Sequence, residues 1–564
     1  MNQVTFGQCL ATLLLIQLSV ANAQTLPDAG SLRQQIERDR VPILPGRVAP
    51  ERPAEPDTMK QPGAATIVVT AFQFAGNTLL SADQLAAAVA TYLNRPLNFT
   101  DLQEAAAAIA AVYRKAGWVV RAYLPDQAIK DGVITIQIVE AVFGGVKPEG
   151  QKSSRVKLEQ LVGIVDAQQQ TGAPLNADAI DRALLIAGDL PGVTVTGSLR
   201  QGAHKGESEL ALAVADKPLF TGDAATDNTG SRGTGPQRLA VNMGFASPLG
   251  LGDQINVNAS RTDGSEYLRI GATAPLGNGG WRIGANTSHL DYKLVAPEML
   301  ALHSKGSSDA FGIEATYPLI RTRLDNLYFN ANYDRKTFHN LANGAVTTSY
   351  NADTLTLGLN GNLFDNAGGG GANTASLSLV KGNINLQGSP NQAADAITTR
   401  TAGGFTKLRY AVSRQQVLSP EHAFFASLSG QYASKNLDSS EKFSLGGSSA
   451  VRAYPSGEGG GAVARLVNLE LRWRLPQGLN LTGFYDFGNL SVNHSNNFVG
   501  APALNQLKLQ GAGLTLVWQS ATGASLKATW AHRIGNNPNA TNTGKDQDGS
   551  LVKDRWWLAA NVPF

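Results

Sequence analysis

Val467-Asn468-Leu469-Glu470-Leu471-Arg472-Trp473-Arg474 decides the fold. An extended chain throws successive side chains to opposite faces, so Val467, Leu469, Leu471 and Trp473 share one face and Asn468, Glu470, Arg472 and Arg474 the other. The pattern recurs nearby. Leu479, Leu481, Tyr485 and Phe487 alternate with Asn480, Thr482, Phe484 and Asp486, and Phe329 and Tyr333 alternate with Asn330, Asn332 and Asp334. From about Leu219 to Phe564 helical periodicity is absent, and strand-length segments of this kind are separated by Gly, Asn, Asp and Pro turns. A soluble sandwich or propeller needs a second apolar layer, yet the second face here carries Arg, Lys and Glu along whole strands. The connections alternate in length: Pro248 to Gly252, Gly277 to Gly280 and Pro476 to Gly478 are tight, whereas Ala296 to Ser307, Asp438 to Ala464 and Pro538 to Leu551 are long. An apolar outside, a polar lumen and short turns facing long loops define a transmembrane antiparallel β-barrel, here of about sixteen strands. In Arg555 to Phe564, the face Trp556, Leu558, Ala560, Val562 and Phe564 puts an aromatic at the interfacial girdle; an ordinary strand that ends in Phe is the alternative.

Upstream, the texture changes. Residues 66–140 read as a βααββ unit. Thr66 to Phe74 is a strand; Ser81 with Gln84 and Thr100 with Gln103 form capping boxes; Leu85, Val89 and Leu93, then Leu102, Ala106, Ile109 and Tyr113, form helical stripes. Gly117 ends the second helix, Trp118 to Leu124 is a strand, and Asp131-Gly132 turns into a strand bearing Ile134, Ile136 and Ile138. Residues 141–217 repeat the plan: a strand at Ala141 to Val146, a helix with Leu158, Leu161 and Val165, a second helix capped by Asn176 with Ile180, Leu184 and Leu185, and strands Val193 to Arg200 and Glu207 to Ala215. Two copies of one plan predict tandem domains.

Further upstream, Ser31 to Arg40 reads as a short helix with Leu32, Gln35, Ile36 and Asp39 on one face. It belongs to a segment 24–40 that leads into a proline-rich linker, 41–65, too extended to form a core. Leu10 to Val20 followed by Ala21-Asn22-Ala23 predicts an export signal over residues 1–23, although no Lys or Arg precedes the apolar run. Cleavage there removes Cys9, the single cysteine, and leaves neither disulfides nor thiolate metal sites.

Composition agrees. Of 564 residues only 16% are charged, the net charge is +3, and glycine contributes 60. So small a net charge gives no reason to expect a nucleic-acid partner. No catalytic set emerges: the seven histidines are scattered, and neither a zinc-protease, nucleophile-elbow nor phosphate-loop motif occurs. Asp546, Asp548 and Gly549 resemble part of a calcium loop but lack its other ligands, so a solvated turn is expected. No metal, cofactor or enzymatic activity is expected.

These residues carry a family resemblance. The two modules resemble POTRA domains, periplasmic units that bind polypeptide, and the C-terminal region resembles the barrel of the two-partner secretion transporters of ShlB/FhaC/HecB type. Ala122-Tyr123-Leu124-Pro125-Asp126-Gln127, then Asp131-Gly132, resembles the family's first POTRA domain, and the helix and linker resemble its plug helix and tether. Val451-Arg452-Ala453-Tyr454-Pro455 resembles the tip of the family's long loop, here within residues 434–464, which folds back into the barrel. Ala453 stands where the family has glycine; a backbone requiring positive φ would tolerate it poorly. Phe484-Tyr485-Asp486-Phe487-Gly488 resembles the family's second motif, so the resemblance implies that Arg452 pairs with Asp486 in the lumen.

The implied architecture is mostly β: an N-terminal helix, two periplasmic α+β POTRA domains (66–140 and 141–217) and an outer-membrane barrel (218–564) of a Gram-negative cell. The implied function is secretion of an unfolded exoprotein carrying an N-terminal two-partner secretion domain, of haemolysin or adhesin type, with a contact-inhibition toxin also open. Capture would involve the edge strand near Trp118, Val120 and Tyr123 and the helix bearing Leu102, Ile109 and Tyr113. Other implied partners are outer-membrane lipid and lipopolysaccharide, and the barrel assembly machinery that would recognise a C-terminal signal at Trp556, Leu558 and Phe564. The rivals are a BamA-like insertion factor, which usually has more such modules and no plug helix, and a passive porin, which needs no periplasmic modules.

Overall fold

The computed structural model describes residues 26–38, 44–47 and 66–564; the expected export signal with Cys9, and most of the proline-rich linker, lie outside the described residues. Sixteen strands, from Phe220–Asp227 to Asp554–Pro563, form one closed antiparallel barrel. The final strand pairs with the first from Ala559↔Asp227 to Pro563↔Asp223, so no edge is left to template aggregation. The alternation holds in three dimensions: Leu469, Leu471 and Tyr485 are exposed on the outside, whereas Asp486 is buried and Glu470 largely so inside. The turns at one end (247–253, 277–280, 322–324, 366–370, 418–421, 475–478, 520–524) are all short. The other end carries the long connections 294–304, 386–402, 434–462, 492–505 and 534–553. Two details differ from expectation. The loop placed at Ala296 to Ser307 ends earlier, because Lys305 already pairs with Lys293 and Leu341. One connection at the long-loop end is only Asn343-Gly344, both at positive φ, as a two-residue hairpin turn demands.

In the first module the strands Ala71–Ala75, Val133–Glu140 and Val120–Tyr123 form a sheet in that order, covered by helices Ala82–Val89 and Phe99–Lys115. Ile134, Ile136 and Ile138 point into its cores. The single strand expected at Thr66 to Phe74 is broken: Ile67–Val68 pairs with Pro96–Leu97, and Thr70 turns to donate its N–H to Gly132. Ser81 and Gln84 form the expected box, but the second box is Asn98 with Asp101, two residues earlier than Thr100 with Gln103. Asn98 accepts from the Asp101 N–H, and the Asp101 carboxylate accepts from the Asn98 N–H. Leu93 leaves the helical stripe, because the helix ends at Val89 and Leu93 is extended.

The second module has the same order of parts: strands Val142–Glu149, Glu207–Asp216 and Val193–Gln201, with helices Leu158–Gln168 and Ala177–Gly188, the latter capped by Asn176. The modules are joined by backbone: Val119 donates to Leu175, Ala141 to Val119, and Ala177 to Gly117. Gly117, at φ +83°, has no room for a side chain beside Asn176 and Asp178. The second module rests on the short-turn end of the barrel. Asp189 takes both Nε and Nη2 of Arg321 at 2.8 Å, Asp181 takes Arg323 at 3.1 and 3.2 Å, and Ser247 Oγ donates to the Arg155 carbonyl at 2.6 Å.

Candidate functional site: a loop and a helix inside the barrel

The described part of the N-terminal helix spans Ala29–Arg38 and starts two residues earlier than expected, because the Asp28 carboxylate accepts the Ser31 N–H and starts it there. It lies in the barrel lumen. Leu32 joins an inner apolar patch with Leu290, Phe338 and Tyr350, with Ile36 packed against it; Asp39, placed on the same face, lies outside the described residues. Polar contacts hold the rest. Ala29 N–H donates to Asn340 Oδ1 at 3.0 Å, and the buried Arg33 donates to Ser288 Oγ and Ser308 Oγ at 2.5 and 3.3 Å and pairs with Glu37 at 2.8 Å. The long loop holds the other flank: Ser439 Oγ donates to Asp28, Gln34 donates to the Lys442 carbonyl, and Arg38 donates to the Ser444 carbonyl. Glu441 of that loop is buried between Lys336 at 3.0 Å and Lys407 at 2.7 Å, both from the barrel wall. Among the linker residues, the Pro45 carbonyl accepts from Asn362, and residues 44–46 line a cavity of about 520 Å³ with Asp189, Trp281 and Tyr328, where the second module meets the barrel.

Polar contacts from three strands converge on the tip of the long loop. Arg452 Nε and Nη2 donate to Asp486 Oδ2 and Oδ1 at 2.9 and 2.7 Å, a two-pronged contact. The Arg452 backbone N–H also donates to Asp486 at 3.0 Å, and Asn468 Nδ2 donates to it at 2.7 Å. Asp486 is fully buried, so these four donors offset its desolvation. Arg452 Nη1 pairs with Glu470 at 3.0 Å, and its guanidinium stacks 3.5 Å from the Phe484 ring centre. This explains a large aromatic on the polar face of its strand. Trp557 Nε1, from the final strand, donates to the Arg452 carbonyl at 2.8 Å. Val451, Ala453 and Tyr454 are all buried in the same cluster, and Pro455 follows. Ala453 is not at positive φ. Its methyl group instead faces Gly511, where a Cβ would come within 2.5 Å of it.

Behind the tip, Arg533 lies over the Tyr454 ring and pairs with Asp546 at 2.5 Å, with Arg555 beside it. Asp546 is fully buried and Asp548 nearly so, which corrects the expectation of a solvated turn there. The buried Glu458 accepts from Asn539 and the Gln547 N–H, tying the long loop to loop 534–553. No cluster of side chains suited to a metal ion occurs among the described residues.

The remaining candidates separate. Leu102, Ile109 and Tyr113 are buried in the core of the first module, so they hold the helix to its sheet and are closed to a ligand, a correction to their expected place in an open groove. Among the described residues, Val120 and Tyr123 lie on a strand that pairs only with Val133–Glu140, leaving its other edge open, but Trp118 already bridges to Asn176 of the second module. Trp556, Leu558 and Phe564 face outward and exposed, with Phe564 stacking near Phe220 at 5.6 Å. Sequence reasoning missed Trp557, Glu470, Gly511 and Arg33 as parts of the lumen site. The signal for Trp557 was its position opposite Trp556: alternation turns it inward, where a buried indole N–H needs an acceptor.

Two periplasm-type modules docked on a sixteen-strand barrel, with an internal helix and a pinned re-entrant loop, define a polypeptide-transporting outer-membrane protein. Residues 206–515 match the profile of the haemolysin secretion/activation protein ShlB/FhaC/HecB family, and residues 67–141 match the ShlB-type POTRA domain. The chain belongs to the ShlB/FhaC/HecB family. It is 26% identical over 553 residues, 95% of each chain, to the heme/hemopexin transporter protein HuxB of Haemophilus influenzae. It is 24% identical to the outer membrane transporter CdiB of Dickeya dadantii, over 81% of this chain and 80% of that one. Among solved structures, CdiB from Escherichia coli superposes with a TM-score of 0.73 at 19% identity, covering 96% of this chain and all of the other. The protein is therefore an outer-membrane transporter of two-partner secretion, with its POTRA domains in the periplasm.

Proposed function

We propose that this transporter binds its unfolded exoprotein at the open edge of Val120–Tyr123, by strand addition, and passes it through the lumen after the helix Ala29–Arg38 withdraws. The observation that carries this reading is the way the helix is held. Its anchors are mostly hydrogen bonds to Asn340, Ser288, Ser308 and loop carbonyls, groups that water or a passing polypeptide satisfies equally well. A permanent structural helix would bury more apolar surface. The linker residues at the module-facing mouth supply the tether along which the helix leaves. The loop tip stays fixed and keeps residues 434–462 from filling the vacated pore. The cargo is of haemolysin or adhesin type, carrying its own N-terminal secretion domain. Lipopolysaccharide surrounds the barrel, and the outward face of Trp556, Leu558 and Phe564 addresses it to the assembly machinery.

The test is conductance in planar bilayers alongside secretion of the cognate exoprotein. Deleting residues 26–38 raises conductance and leaves secretion in place if the helix is a removable plug. A channel indifferent to the deletion refutes the plug, and a folded protein that conducts nothing but inserts other barrels favours the insertion-factor reading.

A further inference from the structure

The strands that carry the loop lock on their inner face carry an unmatched basic row on their outer face. Arg465 pairs across to Asn489, and Asn489 to Lys508, so the three side chains lie in one row on neighbouring strands. Two inter-strand steps separate the cations by about 10 Å. The row faces outward, because its neighbours along each strand, Ala464, Leu466, Leu490, Leu507 and Leu509, all belong to the internal cluster around the loop tip. It lies near the long-loop end, immediately above the rows Val467, Phe487, Gln510 and then Leu469, Tyr485, Ala512, where the lipid-facing band begins.

No carboxylate lies in the row or in the rows directly beside it. Arg465 and Lys508 are both exposed, and neither makes an ion pair with a described residue; Lys508 Nζ lies 5.4 Å from the Phe487 ring centre. Several other cations of the outer belt are matched: Arg261 with Glu266, Arg335 with Asp353, and His532 with Asp554. Two cations flanking a neutral amide donor, at the boundary between an apolar band and water, fit a phosphate whose acyl chains lie along the band. At the long-loop end, opposite the periplasmic modules, the leaflet is the outer one, whose phosphorylated lipid is lipopolysaccharide.

We propose that Arg465, Asn489 and Lys508 form a site for a lipid A phosphate of lipopolysaccharide on the outer wall of the barrel. The site rests on the outer-membrane location and is independent of the plug and of the secretion route.

The experiment is native mass spectrometry of the full chain in detergent, titrated with bisphosphorylated lipid A and, separately, with its dephosphorylated form and with phosphatidylglycerol. The variant is Arg465→Gln with Lys508→Gln, and heat-modifiable gel migration checks that its barrel is closed. Losing two cations at the lipid surface is expected to weaken bisphosphorylated lipid A roughly tenfold to thirtyfold. Binding of the dephosphorylated form is expected to stay equal in both proteins. The exchange Arg465→Lys with Lys508→Arg keeps both charges and retains binding, which holds the test open if the Gln variant does not fold. Equal retention of bisphosphorylated lipid A by wild type and the folded Gln variant overturns the proposal. So does an equal loss of the dephosphorylated form, which assigns the contact to acyl chains, or a phosphatidylglycerol preference lost in the variant, which assigns the row to glycerophospholipid. Exoprotein secretion is read in parallel; its loss in the plug deletion bears on the transport mechanism alone.

Discussion

At the scale of single residues, Arg452 does work that no other cation can replace. Lysine presents one point charge, whereas Arg452 offers two parallel donors to Asp486, a third to Glu470 and a flat face to Phe484. Arg452→Lys is therefore expected to abolish most secretion and to alter single-channel conductance, because one point charge cannot hold Asp486 with two prongs, reach Glu470 and stack on Phe484 at once. Gly511 offers a second test. Gly511→Ala puts a methyl against Ala453 and is expected to loosen the tip, lowering the temperature at which the barrel loses heat-modifiable migration; combining it with Ala453→Gly restores the wild-type value. The Arg452–Asp486 pair was legible because alternation fixed the face of Asp486 and a motif named its partner. Gly511 was not, since a glycine in a strand reads as a weak position until the residue across the lumen is known.

At the scale of elements, the helix in the lumen and the central strand of the first module make separate predictions. Arg33→Ala removes a buried anchor to two barrel serines, so open-state dwell times are expected to lengthen in planar bilayers without a change in the fully open conductance. In the first module, burial pushes the Glu140 carboxyl up, but the Thr78 hydroxyl and the N–H groups of Leu79 and Thr78, with the Tyr113 phenol, hold it below the usual range. A depressed carboxylate contributes stability above its unfolded pKa of about 4.3 and loses it as pH falls through the folded value. Hydrogen exchange of Val133–Glu140, corrected for intrinsic rate, is thus expected to be flat from neutral pH to about 5 and to quicken below about 4. Glu140→Gln removes that acid limb. Element types were legible in these modules from capping boxes and apolar stripes. The break at Val69-Thr70 was not, because Ile67 to Thr70 is uniformly β-prone and only the pairing with Pro96–Leu97 interrupts it. The candidate groove failed for a related reason: helical periodicity identifies a buried stripe, and Leu102, Ile109 and Tyr113 were that stripe.

At the scale of the whole molecule, the second module grips several short turns of the barrel, Ser247 holding Arg155 at one and Asp189 and Asp181 holding Arg321 and Arg323 at another. The Asp181–Arg323 pair is partly exposed and contributes roughly 1 kcal/mol, whereas Arg321 is buried, so losing Asp189 leaves a buried guanidinium short of a partner. Asp181→Asn with Asp189→Asn is expected to broaden the distance distribution between spin labels on helix Ala177–Gly188 and on the barrel, while barrel folding is unchanged. Strand number and closure were legible from alternating turns and loops; the docking was not, because Arg321 and Arg323 read as ordinary polar residues at a strand end.

Trp557 sits on the sixteenth strand and holds the carbonyl of Arg452, which also leans on Glu470 and Asp486 of two neighbouring strands. During biogenesis the loop has no complete receptacle until that strand arrives. A barrel stalled one strand short would leave the tip loose, and so would advertise its own incompleteness to any quality-control protease that cuts unanchored loops.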